Sequence, residues 1–180
     1  MIDKMTAPYV LFDRDGTLIR FQHYLIDPKK VEIAEGVLKG LQLLKEQGFS
    51  FGMITNQSVI GRGLASREEV MAVNEKVLSL LWVQQIEFQF VLFCPHMPED
   101  FCDCRKPAPG LGNLAIKDYN INPSLSYMIG DQPSDVGFGH AIGFKSILIG
   151  DDIEVECEAD HYAKNVLNAA EWISSEMKRG

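Results

Sequence analysis

Five short apolar runs divide the chain, and the stretches between them repeat apolar residues at helical spacing. "YVLFD" (9–13), "FSFGMIT" (49–55), "FQFVLFC" (88–94), "LSYMIGD" (125–131) and "FKSILIG" (144–150) have the length and continuity of buried strands. Residues 36–47 place Val37, Leu41 and Leu44 on one helical face and stop at Gly48. A second helix runs from Ser66, its N-cap with Glu69 three residues on, to about Gln84. Helices are also expected over 109–119, opened by a proline, over 134–142 and over 165–177. Apolar strands alternating with helices predict an α/β fold, a doubly wound and mostly parallel sheet covered on both faces. No repeat, low-complexity segment or linker interrupts it, so residues 1–180 are expected to form a single domain.

In such a sheet ligands sit beyond the carboxyl ends of the strands, near the point where strand order reverses. The first strand ends in Asp13, the second in Thr55 and the fourth in Asp131, and the third runs into a cysteine-rich stretch ending in Arg105 and Lys106. "DRDGTL" sets Asp13 and Asp15 two residues apart before a glycine turn, and "GDQPSD" adds Asp131 and Asp135. Carboxylates gathered from two strand ends suit a hard cation such as Mg²⁺. A metal-bound Asp can serve as nucleophile, with its neighbour as general acid and then base. The alternative is that each motif is an acidic turn or helix cap satisfying its own backbone. Thr55 offers a hydroxyl to an anionic oxygen, and Lys106 a fixed positive charge to a phosphoryl group.

Composition narrows the class of partner. The net charge of −8 argues against nucleic acid and acidic membrane surfaces, and no long charge-free apolar run predicts a transmembrane helix. The N-terminal residues lack the pattern of a signal peptide, so a cytoplasmic location is expected. No nucleic-acid or membrane partner is expected, an anionic small-molecule substrate is not excluded, and a monomer is the expected state.

"CPHMPEDFCDCRKP" (94–107) holds three of the four cysteines. Cys94, His96, Cys102 and Cys104 make a C-x-H pair followed by a C-x-C pair, a standard four-coordinate set for structural Zn²⁺. Disulfides between such near neighbours would close small strained loops, and the C-x-x-C of a redox pair is absent. Free thiols beside an incidental histidine are the remaining alternative. Cys157 lies far away in sequence and is expected to be a bystander.

"VLFDRDGTL", "MITNQ", "CRKP" and "MIGDQPSD" resemble, in order and strand context, the four motifs of the haloacid dehalogenase superfamily of phosphotransferases. The resemblance implies a Rossmann-like fold with Asp13 as nucleophile and Asp15 as general acid/base. It implies Mg²⁺ held by Asp13, the backbone carbonyl of Asp15 and Asp131, with Asp135 in support. Thr55 would bind the transferring phosphoryl group and Lys106 would counter its charge. The segments between the motifs are filled by the expected helices and strands, so a capless enzyme is implied.

The cysteine cluster before "RKP" is similar to that of a subgroup containing D-glycero-D-manno-heptose 1,7-bisphosphate 7-phosphatases and histidinol-phosphate phosphatases. This implies a zinc-ordered loop, 94–106, that presents Arg105 to substrate. The expected substrate-binding set is Arg14, Phe21, Gln22, His23, Tyr24, Asn56, Gln57, Ser58 and Arg105, with His23 and Tyr24 readable equally as surface residues. "TNQSVIGRG", "RKPAPGL" and the "ADHYAKNVLNAAEWI" tail resemble the heptose enzymes. The short gap from His96 to Cys102 resembles the histidinol-phosphate enzymes, and Val59 and Gln132 replace the glycine and lysine of the heptose pattern. The heptose bisphosphate is the favoured substrate and histidinol phosphate the alternative; a polynucleotide 3′-phosphatase fits the charge less well. A zinc-stabilised binding module is the non-enzyme alternative, disfavoured because every motif residue is present.

Overall fold

A computed structural model describes residues 6–151 and 157–178. Their strands are β1 (Tyr9–Phe12), β2 (Ser50–Asn56), β3 (Phe88–Cys94), β4 (Tyr127–Gly130), β5 (Lys145–Ile149) and β6 (His161–Ala163). The helices are α1 (Val37–Glu46), α2 (Arg67–Trp82), α3 (Gly110–Tyr119), α4 (Pro133–Ala141) and α5 (Val166–Met177). All strands are parallel, in the order β3-β2-β1-β4-β5-β6. The expected α/β doubly wound sheet is therefore present, with one strand more than the pattern predicts. That strand, β6, is only three residues long and lies at the sheet edge, where one face and one edge stay polar.

Strand alternation sorts the core into two layers. Val10 and Phe12 of β1, Phe51 and Met53 of β2, and Tyr127 and Ile129 of β4 face α1, α2 and α5. Tyr9, Leu11, Ile54 and Met128 face the other way, against Ala115 of α3 and Phe138 of α4. Both faces are covered, which is why the strands read as continuous apolar runs. Ser66 caps α2 as its sequence predicts: Glu69 N–H donates to Ser66 Oγ (3.1 Å) and Ser66 N–H to Glu69 Oε2 (2.8 Å).

Between β1 and α1 the chain forms only isolated bridges and a single 3-10 turn at Pro28–Lys30, so nothing the size of a cap domain is inserted there. The strand order reverses at β1 and β4, which pair directly. Their carboxyl ends carry Asp13 and Asp131.

Candidate active site

Asp13 leaves β1 still tied to β4, its N–H donating to the Ile129 carbonyl at 3.1 Å. Its Oδ1 accepts from Lys106 Nζ at 2.7 Å. That ammonium also contacts Asp135 Oδ1 at 2.7 Å and donates to the Ile54 carbonyl at 2.6 Å, so three oxygens surround a cation that is 3% exposed. Burial alone would pull the Lys106 pKa down; Asp13 and Asp135 outweigh it and hold the group charged. Asp135 Oδ2 accepts from Gln132 N–H (3.0 Å), so one side chain caps α4 and pairs with Lys106. A Cβ on Gly130 would collide with the Asp135 carboxylate, which accounts for the glycine before Asp131.

The acidic groups fit a divalent cation. Asp13, Asp131 and Asp135 each bring a carboxylate oxygen within 4.8 Å of the others. Among the described residues Asp131 Oδ1 is buried without a hydrogen-bond partner, while Oδ2 accepts from Gln132 Nε2 at 2.9 Å. Burial, with Asp13 and Asp135 nearby, pushes the Asp131 pKa up to about 6. An orphaned carboxylate oxygen in a cluster of like charge is what an oxygen-preferring cation would satisfy. Gly16, at φ +83°, carries the chain past this point; a Cβ there would lie 2.5 Å from Asp131 Oδ2.

All the residues expected to be catalytic, substrate-binding or Mg²⁺-holding line one cleft of about 310 Å³: Asp13, Arg14, Asp15, Phe21, Gln22, His23, Tyr24, Thr55, Asn56, Gln57, Ser58, Arg105, Lys106, Asp131 and Asp135. Leu25 and Ser134 line it too, without having been expected. Several of these side chains are nonetheless committed to protein groups, not open to a ligand. Arg14 is 1% exposed and grips Asp15 through Nε to Oδ2 (3.1 Å) and Nη2 to Oδ2 (2.8 Å) and Oδ1 (3.1 Å). Gln57 accepts from Arg14 Nη2 (2.9 Å) and donates to Asp15 Oδ2 (2.8 Å) and Thr55 Oγ1 (3.0 Å). Gln22 Nε2 donates to the Lys30 carbonyl (2.8 Å), closing its own loop. Asn56 pairs with the Lys106 backbone, accepting from N–H at 3.0 Å and donating to the carbonyl at 3.1 Å. Phe21, His23 and Tyr24 are exposed at the rim, with the His23 and Tyr24 rings 3.9 Å apart.

Burial raises the Asp15 pKa, against the opposing pull of Arg14, with Asp13 adding to the rise. A partly buried carboxyl with a raised pKa keeps its proton to higher pH than a free one, the direction a proton donor needs.

Beside the cleft, the four zinc-type donors converge. Cys94 Sγ lies 3.5 Å from His96 Nδ1 and from Cys102 Sγ, and Cys104 Sγ lies 3.2, 3.3 and 3.4 Å from His96 Nδ1, Cys94 Sγ and Cys102 Sγ. These separations are far too long for disulfides. They approach the edges, roughly 3.8 Å for sulfur pairs, of a tetrahedron around zinc at about 2.3 Å. Without a cation the thiols cannot ionise together. Burial and the Cys94 and Cys102 contacts push Cys104 up to about 12, while at Cys102 burial is outweighed by hydrogen bonds that bring it to about 7. The donor set therefore fits Zn²⁺. Arg105, next to Cys104, donates from Nη1 to the His96 carbonyl at 3.2 Å, so the loop that carries the donors also holds this cation. Cys157 is a free thiol outside the cluster.

Comparison with known proteins places this arrangement. Residues 103–170 match the family described as HAD-hydrolase-like. The D-glycero-beta-D-manno-heptose-1,7-bisphosphate 7-phosphatase of Haemophilus ducreyi is 35% identical over 171 residues, covering 89% of this chain and 92% of that protein. The chain belongs to the haloacid dehalogenase-type phosphatases. The "Histidine biosynthesis bifunctional protein HisB" of Blochmanniella floridana is also 35% identical, over 79% of this phosphatase but 41% of that protein. The D,D-heptose 1,7-bisphosphate phosphatase of B. bronchiseptica, solved with magnesium and phosphate, shares the fold. Its TM-score is 0.84 at 22% identity, covering 94% of this chain and 99% of that one.

One buried residue of this phosphatase escaped the sequence reading. Asn74 of α2, 4% exposed, accepts from Arg14 Nη1 at 2.8 Å. The available signal was a polar residue inside an apolar stripe, flanked by Val70, Val73, Val77 and Leu81.

Proposed function

We propose that this phosphatase hydrolyses its ester with Mg²⁺ in the acidic cleft and with the phosphoryl group carried transiently on Asp13. The observation that carries the reading is the position of Asp13 at the switch point, 2.7 Å from Lys106 Nζ and clustered with the orphaned oxygen of Asp131. Asp13 attacks phosphorus as the ester P–O bond breaks, and the departing oxygen takes a proton from Asp15. Water then attacks the phosphorus, giving its proton to Asp15, and cleavage of the P–O bond to Asp13 releases inorganic phosphate. Lys106 offsets charge on the transferring group, and Thr55 lies beside it as a hydrogen-bonding hydroxyl. Asp13, Asp131 and the Asp15 carbonyl, supported by Asp135, would hold Mg²⁺, whose charge favours phosphate binding and transfer. With Asp15 holding the proton it donates, three cations, Arg14, Arg105 and Lys106, face three charged carboxylates in the cleft, a balance of 0 that a divalent ion turns to +2. Asp13→Asn is expected to abolish turnover; a variant as active as the parent would refute the mechanism.

The substrate we propose is D-glycero-D-manno-heptose 1,7-bisphosphate, cleaved at the 7-phosphate. Similarity to the Haemophilus enzyme over nearly the full length of both chains supports this reading. So does Arg105, the one cleft cation without a carboxylate partner among the described residues. Histidinol phosphate is the second reading, favoured by the equal identity to the histidine-biosynthesis protein and by the neutral Gln132 at the rim. Values of kcat/KM for both anomers of the heptose bisphosphate and for histidinol phosphate decide between them. The chain is proposed to act on this small metabolite as a single-domain cytoplasmic monomer. Among the described residues no helix is long and apolar enough to cross a membrane.

A further inference from the structure

Asn74 is costly where it stands. A Leu or Val there would extend the apolar stripe of α2, whereas the Asn74 Nδ2 group is buried without a hydrogen-bond partner among the described residues. Leaving a buried donor unmet destabilises the fold, so the residue is not there for packing. What the residue supplies is Oδ1, which accepts from Arg14 Nη1 at 2.8 Å. That bond also fixes which way the amide is turned, because a guanidinium only donates.

The guanidinium is planar, so holding one corner orients the rest. With Nη1 on Asn74, the edge formed by Nε and Nη2 lies along the Asp15 carboxyl, and Nη2 also reaches Gln57 Oε1. Three N–H contacts converge on Asp15 Oδ2: Arg14 Nε at 3.1 Å, Arg14 Nη2 at 2.8 Å and Gln57 Nε2 at 2.8 Å. Among the described residues Oδ1 accepts only the 3.1 Å contact from Arg14 Nη2. An oxygen facing three donors has no room for a proton of its own, so Oδ1 is the oxygen left to carry and exchange one. Removing Asn74 would leave Nη1 buried without an acceptor and free the fork to pivot.

We infer that Asn74 is a positioning residue for proton transfer, acting through Arg14 to hold the Asp15 carboxyl with Oδ1 as its proton-exchanging oxygen. The inference rests on Asp15 being the general acid/base. The test compares first-turnover rates, with Mg²⁺ present, for an alkyl ester and an aryl ester. Heptose bisphosphate and histidinol phosphate are both alkyl esters and need a proton on the leaving oxygen; p-nitrophenyl phosphate leaves as a phenolate and needs none.

In Asn74→Leu the first turnover of the alkyl ester is expected to fall about ten-fold or more, with that of the aryl ester changed less than about two-fold and substrate affinity unchanged. Asn74→Asp keeps the acceptor and should restore most of the alkyl-ester rate. Thermal melting establishes that each variant is folded. If Asn74→Leu does not fold, Asn74→Ala, which removes the acceptor without adding bulk, should show the same selective loss. Equal losses on both esters, or none, in a folded variant would overturn the inference. Asp15→Asn separates the two levels: full alkyl-ester activity there would remove the general-acid reading itself. Its loss alongside an unaffected Asn74→Leu would remove only the role of Asn74.

Discussion

At the scale of single residues, the cleft depends on charges that cannot be removed one at a time. Lys106 has a 1% exposed side chain between Asp13 and Asp135, and taking it away leaves two carboxylates facing each other in a poorly solvated space. Lys106→Met is expected to lower stability by about 3 kcal/mol, read from denaturant unfolding, and to abolish most turnover. Gly16 is constrained twice, by φ +83° and by Asp131 Oδ2 at 2.5 Å from its would-be Cβ. Gly16→Ala should cost about 1–2 kcal/mol in backbone strain alone. It should also raise the Mg²⁺ concentration needed for half-maximal activity, because the displaced carboxylate is a proposed ligand. A Mg²⁺ dependence unchanged from the parent would show that Asp131 is not one.

At the scale of elements, one carboxylate reinforces the backbone pairing on the far side of the sheet. Asp160 Oδ2 accepts from Ser146 N–H at the start of β5 (2.7 Å) and contacts His140 Nε2 (2.8 Å), pinning the lead-in of β6. Burial would raise the Asp160 pKa, but these hydrogen bonds and the nearby Lys145 hold it below the usual carboxylate value. A group lowered in the folded state stabilises above its unfolded pKa of about 4 and loses that contribution as pH falls through the folded value. Asp160→Asn should therefore be less stable than the parent near neutrality in denaturant unfolding, by less than about 1 kcal/mol at this solvent-screened site, with the gap closing below pH of about 4. The strand that Asp160 leads into was also the least legible element. β6 is three residues long, flanked by Asp160 and Lys164, and its pairing with β5 is tertiary; no local period announces it. The five longer apolar runs and the Ser66 cap were legible because burial on both faces and capping write themselves into local sequence. The cleft was legible because parallel strands end together. The inward turn of Arg14 was not, since its partner Asn74 lies sixty residues away.

At the scale of the whole molecule, the thiol cluster and the cleft are one construction. Purified protein is expected to carry about one zinc per chain by elemental analysis. Cys102→Ser should lose that zinc, melt at lower temperature and bind substrate more weakly as Arg105 loses its anchor on the His96 carbonyl. Zinc-free protein that melts like the parent would refute a structural metal. The amide of Asn56 extends this construction to the sheet. Its two bonds to the Lys106 backbone act as an extra ladder rung, stitching the end of β2 to the end of the zinc loop. Thr55 and Lys106 then share one rigid jaw that cannot open without breaking the rung. The other jaw, residues 21–24, carries no such stitch to the sheet among the described residues, so the two walls of the cleft are held with unequal firmness.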